Sequence, residues 1–147
     1  NDAPSTITRL QNMGTPDYLI SAACQLVVAQ RLARKNCKDC RVPDDDVTPK
    51  VLQDLGFTAE LASRVKAVKG KGCPKCNNTG YKGRQGIYEI LVVTKPLKEA
   101  ILRQATTPEL REIGVKEGFQ TMQDMGRRLI ASGELNFREF ERVLSGE

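Results

Sequence analysis

Four cysteines stand in two matching pairs, Cys37-x-x-Cys40 and Cys73-x-x-Cys76, separated by residues 41–72. Each pair offers two thiolates from one tight turn. Two such turns facing each other place four soft ligands at the corners of a tetrahedron, the arrangement that binds zinc with Zn–S distances of about 2.3 Å. Four sulfurs fill that shell and leave no position for an activated water. The 147-residue chain has no histidine, so the Zn2+ this pattern predicts is structural and not hydrolytic. Iron on four sulfurs is the other metal the donor set admits.

Disulfides, a redox pair and unliganded thiols are the competing readings. A cytosolic compartment disfavours the first, and a redox pair works alone at the start of a helix, which would make the second pair superfluous. Cys24 lies in the apolar run LISAACQLVVAQ and reads as a small core residue outside the site.

The elements that must position these cysteines are legible in part. Residues 1–14 read as a loop and a short helix with Ile7 and Leu10 on one face and Gly14 ending it, and Thr15-Pro16-Asp17 restarts helical structure. A helix then gives way to a buried strand around Gln25 to Arg34, where Val27 and Val28 favour extended backbone. Between Cys37 and Cys76 the composition turns to Pro, Asp, Lys and Gly, with one amphipathic patch from Val51 to Val68. There Thr58 reads as an N-cap, with Leu61 and Val65 facing inward.

So few large apolar residues build little core. A bound metal would compensate with roughly 10–16 kcal/mol of apparent binding energy. Gly80, Gly83 and Gly86 predict a turn leading into a strand over residues 86–93, so the cysteine segment reads as an excursion between two strands. Beyond Pro96 the chain reads as helical: Leu97 and Ile101, then Leu110 and Ile113 after an N-cap at Thr107, then Met122, Met125 and Leu129 after Thr121-x-x-Asp124. A last helix bears Phe137, Phe140 and Leu144 after Asn136. These stripes are core, independent of any metal.

Composition narrows the function classes. With 39% hydrophobic and 28% charged residues the chain is a folded soluble protein, and it lacks both a run of about 20 apolar residues and a signal-peptide pattern. We therefore expect a cytoplasmic protein with no direct membrane insertion. The start at NDAPSTITRL, without a Met, reads as the interior of a longer protein. No GxxxxGK[ST] or GxGxxG loop occurs and Ser-His or Cys-His pairs are impossible, so the chain by itself is not a complete enzyme. Asp44, Asp45 and Asp46 beside Pro43 read as a solvated loop.

A net charge of +5 permits attraction to phosphates or acidic surfaces. A nucleic-acid-binding zinc ribbon is the alternative function that the CxxC pairs raise. The 5% aromatic content and the placing of the Phe residues at helix-core spacing argue against it, and we expect no nucleic-acid partner. CPKCNNTG matches half of a chaperone-type CxxCxGxG repeat, but without its GxG.

Several stretches in order, NDAPSTITRL, VVAQRLARKNCKDC, GCPKC, TGYKGRQGIYEIL and EGFQTMQDMG, together resemble the C-terminal part of the ATPases that drive type II secretion and type IV pilus assembly. The resemblance spans essentially the whole chain. It implies an α+β fold, mainly α: the end of a RecA-like ATPase domain over 1–36, a zinc-binding tetracysteine subdomain over 37–79 inserted between strands, and a return strand with a C-terminal helical domain over 80–147. It also implies that the Walker motifs lie upstream, and that ATP and Mg2+ belong to the full-length parent.

The parent would be a homo-hexamer acting on an inner-membrane platform protein, peripheral at the inner membrane through its partners. The four cysteines distinguish assembly and secretion motors from retraction motors, which resemble them but lack this insert. By the same resemblance Arg84, in GRQGIYE, is nucleotide-proximal. Gly83 and Gly86 beside it leave room for a guanidinium to approach a phosphate. Its competing role is that of a surface arginine paired with Glu89. Arg31 and Arg34 are weaker candidates of the same kind.

Overall fold

The computed structural model describes residues 2–144. In chain order its elements are α1 (Ala3–Asn12), α2 (Asp17–Ala23), β1 (Leu26–Asn36), β2 (Arg41–Pro43), α3 (Pro49–Asp54), α4 (Ala59–Arg64), β3 (Val68–Gly70), a 3-10 turn (Pro74–Cys76), β4 (Tyr81–Val92), α5 (Lys95–Leu102), α6 (Thr107–Lys116), α7 (Met122–Ser132) and α8 (Phe137–Leu144). The class is α+β, as expected. The chain forms two compact units that do not follow chain order: Asn1–Gln30 with Tyr88–Met122, and Arg31–Ile87 with Gln123–Glu147.

The first unit is built on local helix signals. Asp2 caps α1 through Ser5 in a capping box, and Gly14, at φ +94, takes the left-handed conformation that ends the turn after it. Ile7, Leu97, Ile101 and Leu110 are fully buried together with Leu91 of β4, each contributing about 1.5–3 kcal/mol relative to exposure. α6 approaches β4 closely at Gly114, where a β-carbon would lie 2.9 Å from Leu91 Cδ1. Its cap is Thr106, whose side chain accepts from Glu109 N–H, so Thr107 and Pro108 are already in the first turn. Cys24 packs against this core, half-buried, and is not part of the four-cysteine cluster.

The second unit holds the segment between the cysteine pairs. β2 and β3 pair antiparallel, Arg41 opposite Gly70 and Pro43 opposite Val68. Between them, Thr48 and Thr58 cap the short helices α3 and α4. Leu52, Phe57 and Ala62 face inward here, whereas Leu61, expected to do so, is exposed. One turn of α4 cannot bury both neighbours, and the smaller Ala62 occupies the inward position. α7 packs on α8 at Gly126, where a β-carbon would meet Leu144 and Phe140 side chains within 3 Å.

β1 and β4 form a two-stranded ribbon. Gln25 O accepts from Val93 N–H and Gly80 O from Cys37 N–H, both at 2.9 Å, so the strands run antiparallel. β4 starts at Tyr81, not at residue 86. The glycine-rich stretch expected as a turn is strand, with Gly83 at φ +83 absorbing a local irregularity. β1 is also less covered than its apolar sequence implies, because Leu26, Val28 and Leu32 are about half exposed while Val27 and Ala33 are buried.

Candidate metal centre

Cys37 follows the last residue of β1, and Cys76 ends the 3-10 turn four residues before Gly80, which leads into β4. The ribbon therefore delivers one cysteine of each pair to the same place. The knuckles supply the others. Lys71 N–H donates to Cys40 O at 2.9 Å, joining the first knuckle to the approach of the second. The 3-10 turn carries Pro at its start and ends at Asn77 in the left-handed region, a conformation Asn tolerates.

The four Sγ atoms of Cys37, Cys40, Cys73 and Cys76 all lie within 4.8 Å of one another. Three separations are 3.8 Å (Cys37–Cys73), 3.9 Å (Cys40–Cys76) and 3.7 Å (Cys73–Cys76). A tetrahedron with metal–sulfur bonds of about 2.3 Å has edges of about 3.8 Å. A disulfide would need about 2.05 Å, and all five cysteines are free thiols. The donor set thus fits a thiophilic metal such as zinc, held by these four residues.

Backbone donors converge on the sulfurs. Gly72 N–H reaches Cys40 Sγ at 3.3 Å, Cys73 N–H reaches Cys76 Sγ at 3.3 Å, and Gly80 N–H reaches Cys76 Sγ at 3.2 Å. For Cys76, burial pushes the thiol up, but the Cys73 and Gly80 amides outweigh it and hold it down at about 6. At Cys40 the Gly72 amide favours the thiolate, while burial and the neighbouring cysteines push it up to about 11. A bound cation would favour the thiolate at all four cysteines.

Arg84 sits exposed on β4. It does not pair with Glu89, whose buried carboxylate accepts from Ala3 N–H at 2.6 Å and Met122 N–H at 2.9 Å. One side chain thereby caps the starts of α1 and α7, a role invisible in the sequence because its partners are 86 and 33 positions away. Arg31 and Arg34 are committed within the second unit. Arg31 donates to Val143 O, and Arg34 grips Glu139 through its backbone N–H and its guanidinium at 2.7 Å each while lying 4.1 Å over the Tyr81 ring.

A four-cysteine cluster at the foot of a two-stranded ribbon is compatible with a bound metal, and comparison with known proteins assigns the chain's family. The family model described as "Type II/IV secretion system protein" matches residues 1–142, and the chain belongs to that family. It is 34% identical over 95% of its length to the type IV pilus assembly ATPase PilB of Myxococcus xanthus, and 40% identical over 86% to its namesake from Thermus thermophilus. It is 36% identical over 86% to the type II secretion system ATPase E of Vibrio cholerae. The chain spans only 25%, 14% and 27% of those three relatives.

Proposed function

We propose that this chain is the zinc-binding C-terminal region of a cytoplasmic hexameric ATPase that powers type II secretion or type IV pilus assembly. The observation that carries the metal part is the set of sulfur–sulfur separations near 3.8 Å, which matches a tetrahedral thiolate site. Zn2+, when bound, supplies a cross-link between the two knuckles and no reactive position. The family and the ATPase relatives support the motor part. In the parent we expect ATP and Mg2+ at a site upstream, a homo-hexamer, and an inner-membrane platform protein as the partner that ties the motor to the membrane.

Under this reading residues 1–36 close a RecA-like domain, 37–79 form the zinc subdomain, and 80–147 hold the return strand and the C-terminal helices. The ribbon supports a RecA-like setting. Leu26, Val28, Tyr88, Ile90 and Val92 are large, apolar and 43–57% exposed, the composition of strands covered on both faces by further layers. No helix among the described residues is long and apolar enough to cross a membrane.

The cysteine knuckle braces the strand that presents Arg84, and Arg84 faces the nucleotide of the assembled motor. In the full-length ATPase, Arg84→Ala should lower turnover and leave the metal in place, and Cys73→Ser should lower turnover and stability together. The double variant should lose less than the sum. Plain additivity would make the zinc subdomain a separate unit and end the proposed coupling to nucleotide.

A further inference from the structure

Asn36 and Asn136 lie 100 residues apart, both are almost fully buried, and neither takes part in the metal-binding or nucleotide roles above. Asn136 Nδ2 donates to Asn36 Oδ1 at 3.2 Å and to the Tyr81 hydroxyl at 3.1 Å, while Asn136 Oδ1 accepts from Glu139 N–H at 2.8 Å and so caps α8. Asn36 Nδ2 in turn donates to Gly133 O at 2.9 Å, and Asn36 N–H donates to Glu134 O at 2.9 Å. Glu134 in the turn between α7 and α8 also pairs with Lys35 and Arg41, and the turn's buried amide groups are bonded to two residues, Asn36 and Tyr81.

Those two residues are tied to the cysteines. Asn36 is the covalent neighbour of Cys37, and Tyr81 is the neighbour of Gly80, which bonds Cys37 through its carbonyl and Cys76 through its N–H. Any movement of the knuckles displaces the acceptors of both Asn136 N–H groups. A buried amide that loses its acceptors has no water to replace them, so the turn must stay with the knuckles or open with them.

We propose that Asn136 couples the metal centre to the C-terminal helix, so that metal occupancy sets the order of the α7–α8 turn and of α8. This rests on the four cysteines holding a metal. Without the metal the knuckles relax, Asn136 loses both bonds, and α8 frays from its N-terminus. With it, the C-terminal helix is locked to the second cysteine pair.

Amide hydrogen exchange read by mass spectrometry tests this on the zinc-loaded chain and on the same chain after zinc extraction with a thiol-reactive mercurial and its removal under reducing conditions. Exchange in residues 137–144 should rise on the order of tenfold or more on extraction, while α5 and α6 stay unchanged. Asn136→Ser keeps an oxygen to cap Glu139 N–H but cannot reach Asn36 and Tyr81. That variant should still bind about one zinc, and its α8 should no longer respond to zinc. Tyr81→Phe, which keeps the ring under Arg34, should weaken the response partially. A zinc-loaded chain whose α8 ignores extraction overturns the coupling, as does a full response in Asn136→Ser. A chain with no zinc to extract overturns the metal reading itself, which the zinc assay reports separately.

Discussion

Gly70 and Gly80 pass so closely that a β-carbon on Gly70 would lie 1.9 Å from the Gly80 carbonyl oxygen. That contact brings the end of β3 against the residue that bonds both Cys37 and Cys76. Gly80 itself stands at φ +81, where a side chain is strained as well. Gly70→Ala must therefore displace the Gly80 backbone, which bonds Cys37 and Cys76. We expect it to cost about 1–3 kcal/mol and to weaken zinc binding about 10–100-fold, as measured by denaturation and by competition with a chelator of known affinity.

The sulfur geometry makes zinc content a direct test of the proposed site. Elemental analysis of protein purified without chelator should find about one zinc per chain. Cys76→Ser removes the sulfur that the Cys73 and Gly80 N–H groups reach, and it should lose the metal and melt earlier. Retention of both metal and melting behaviour would count heavily against the site.

Glu139 should report through acid stability. Its side chain is fully buried; burial raises its pKa, but hydrogen bonds from Arg142 and Arg34 prevail and hold it down at about 2, against an ordinary value of 4.5. A depressed carboxyl stabilises the fold above its unfolded pKa, and that stability disappears as pH falls from about 4.5 toward about 2. At neutral pH Glu139→Gln should cost about 3 kcal/mol. The gap between variant and native chain should close across that acid window, and a gap independent of pH would contradict the pairing of buried Glu139 with its two arginines.

Glu89 and Arg84 share β4 and one sequence motif but should behave oppositely. Glu89→Ala strands the N–H groups of Ala3 and Met122, costing about 1–3 kcal/mol for each buried donor. Glu89→Gln keeps one acceptor and should lose less. Arg84→Ala, at an exposed position, should stay within about 0.5 kcal/mol. Thermal denaturation of the three variants checks the order, and equal losses would contradict the capping role.

The cysteine site was legible because ligand spacing is a local property: a CxxC turn brings its two sulfurs together wherever the chain goes. Helix caps at Thr58 and Asn136 were legible for the same reason, since each bonds an amide three residues on, whereas α6 is capped by Thr106, one residue before the Thr107 expected. The boundary at β4 was not, because glycines that usually mark a turn are here held in strand by pairing with β1. Nor was the way the C-terminal helices divide, with α5 and α6 in one compact unit and α8 in the other. Their apolar stripes are real, yet α8 belongs to the same compact unit as the cysteines.

Amino-acid type and spacing along the chain thus determined the donor set, the helices and the family pattern. Tertiary structure alone decided that Glu89 caps two distant helices, that Arg34 holds Glu139, and that Asn136 meets Asn36 across 100 residues. The physical reason is that burial of apolar side chains leaves a periodic trace in sequence, whereas a single buried hydrogen bond between distant residues leaves none. Its partners become identifiable only when folding removes the water that would otherwise satisfy them.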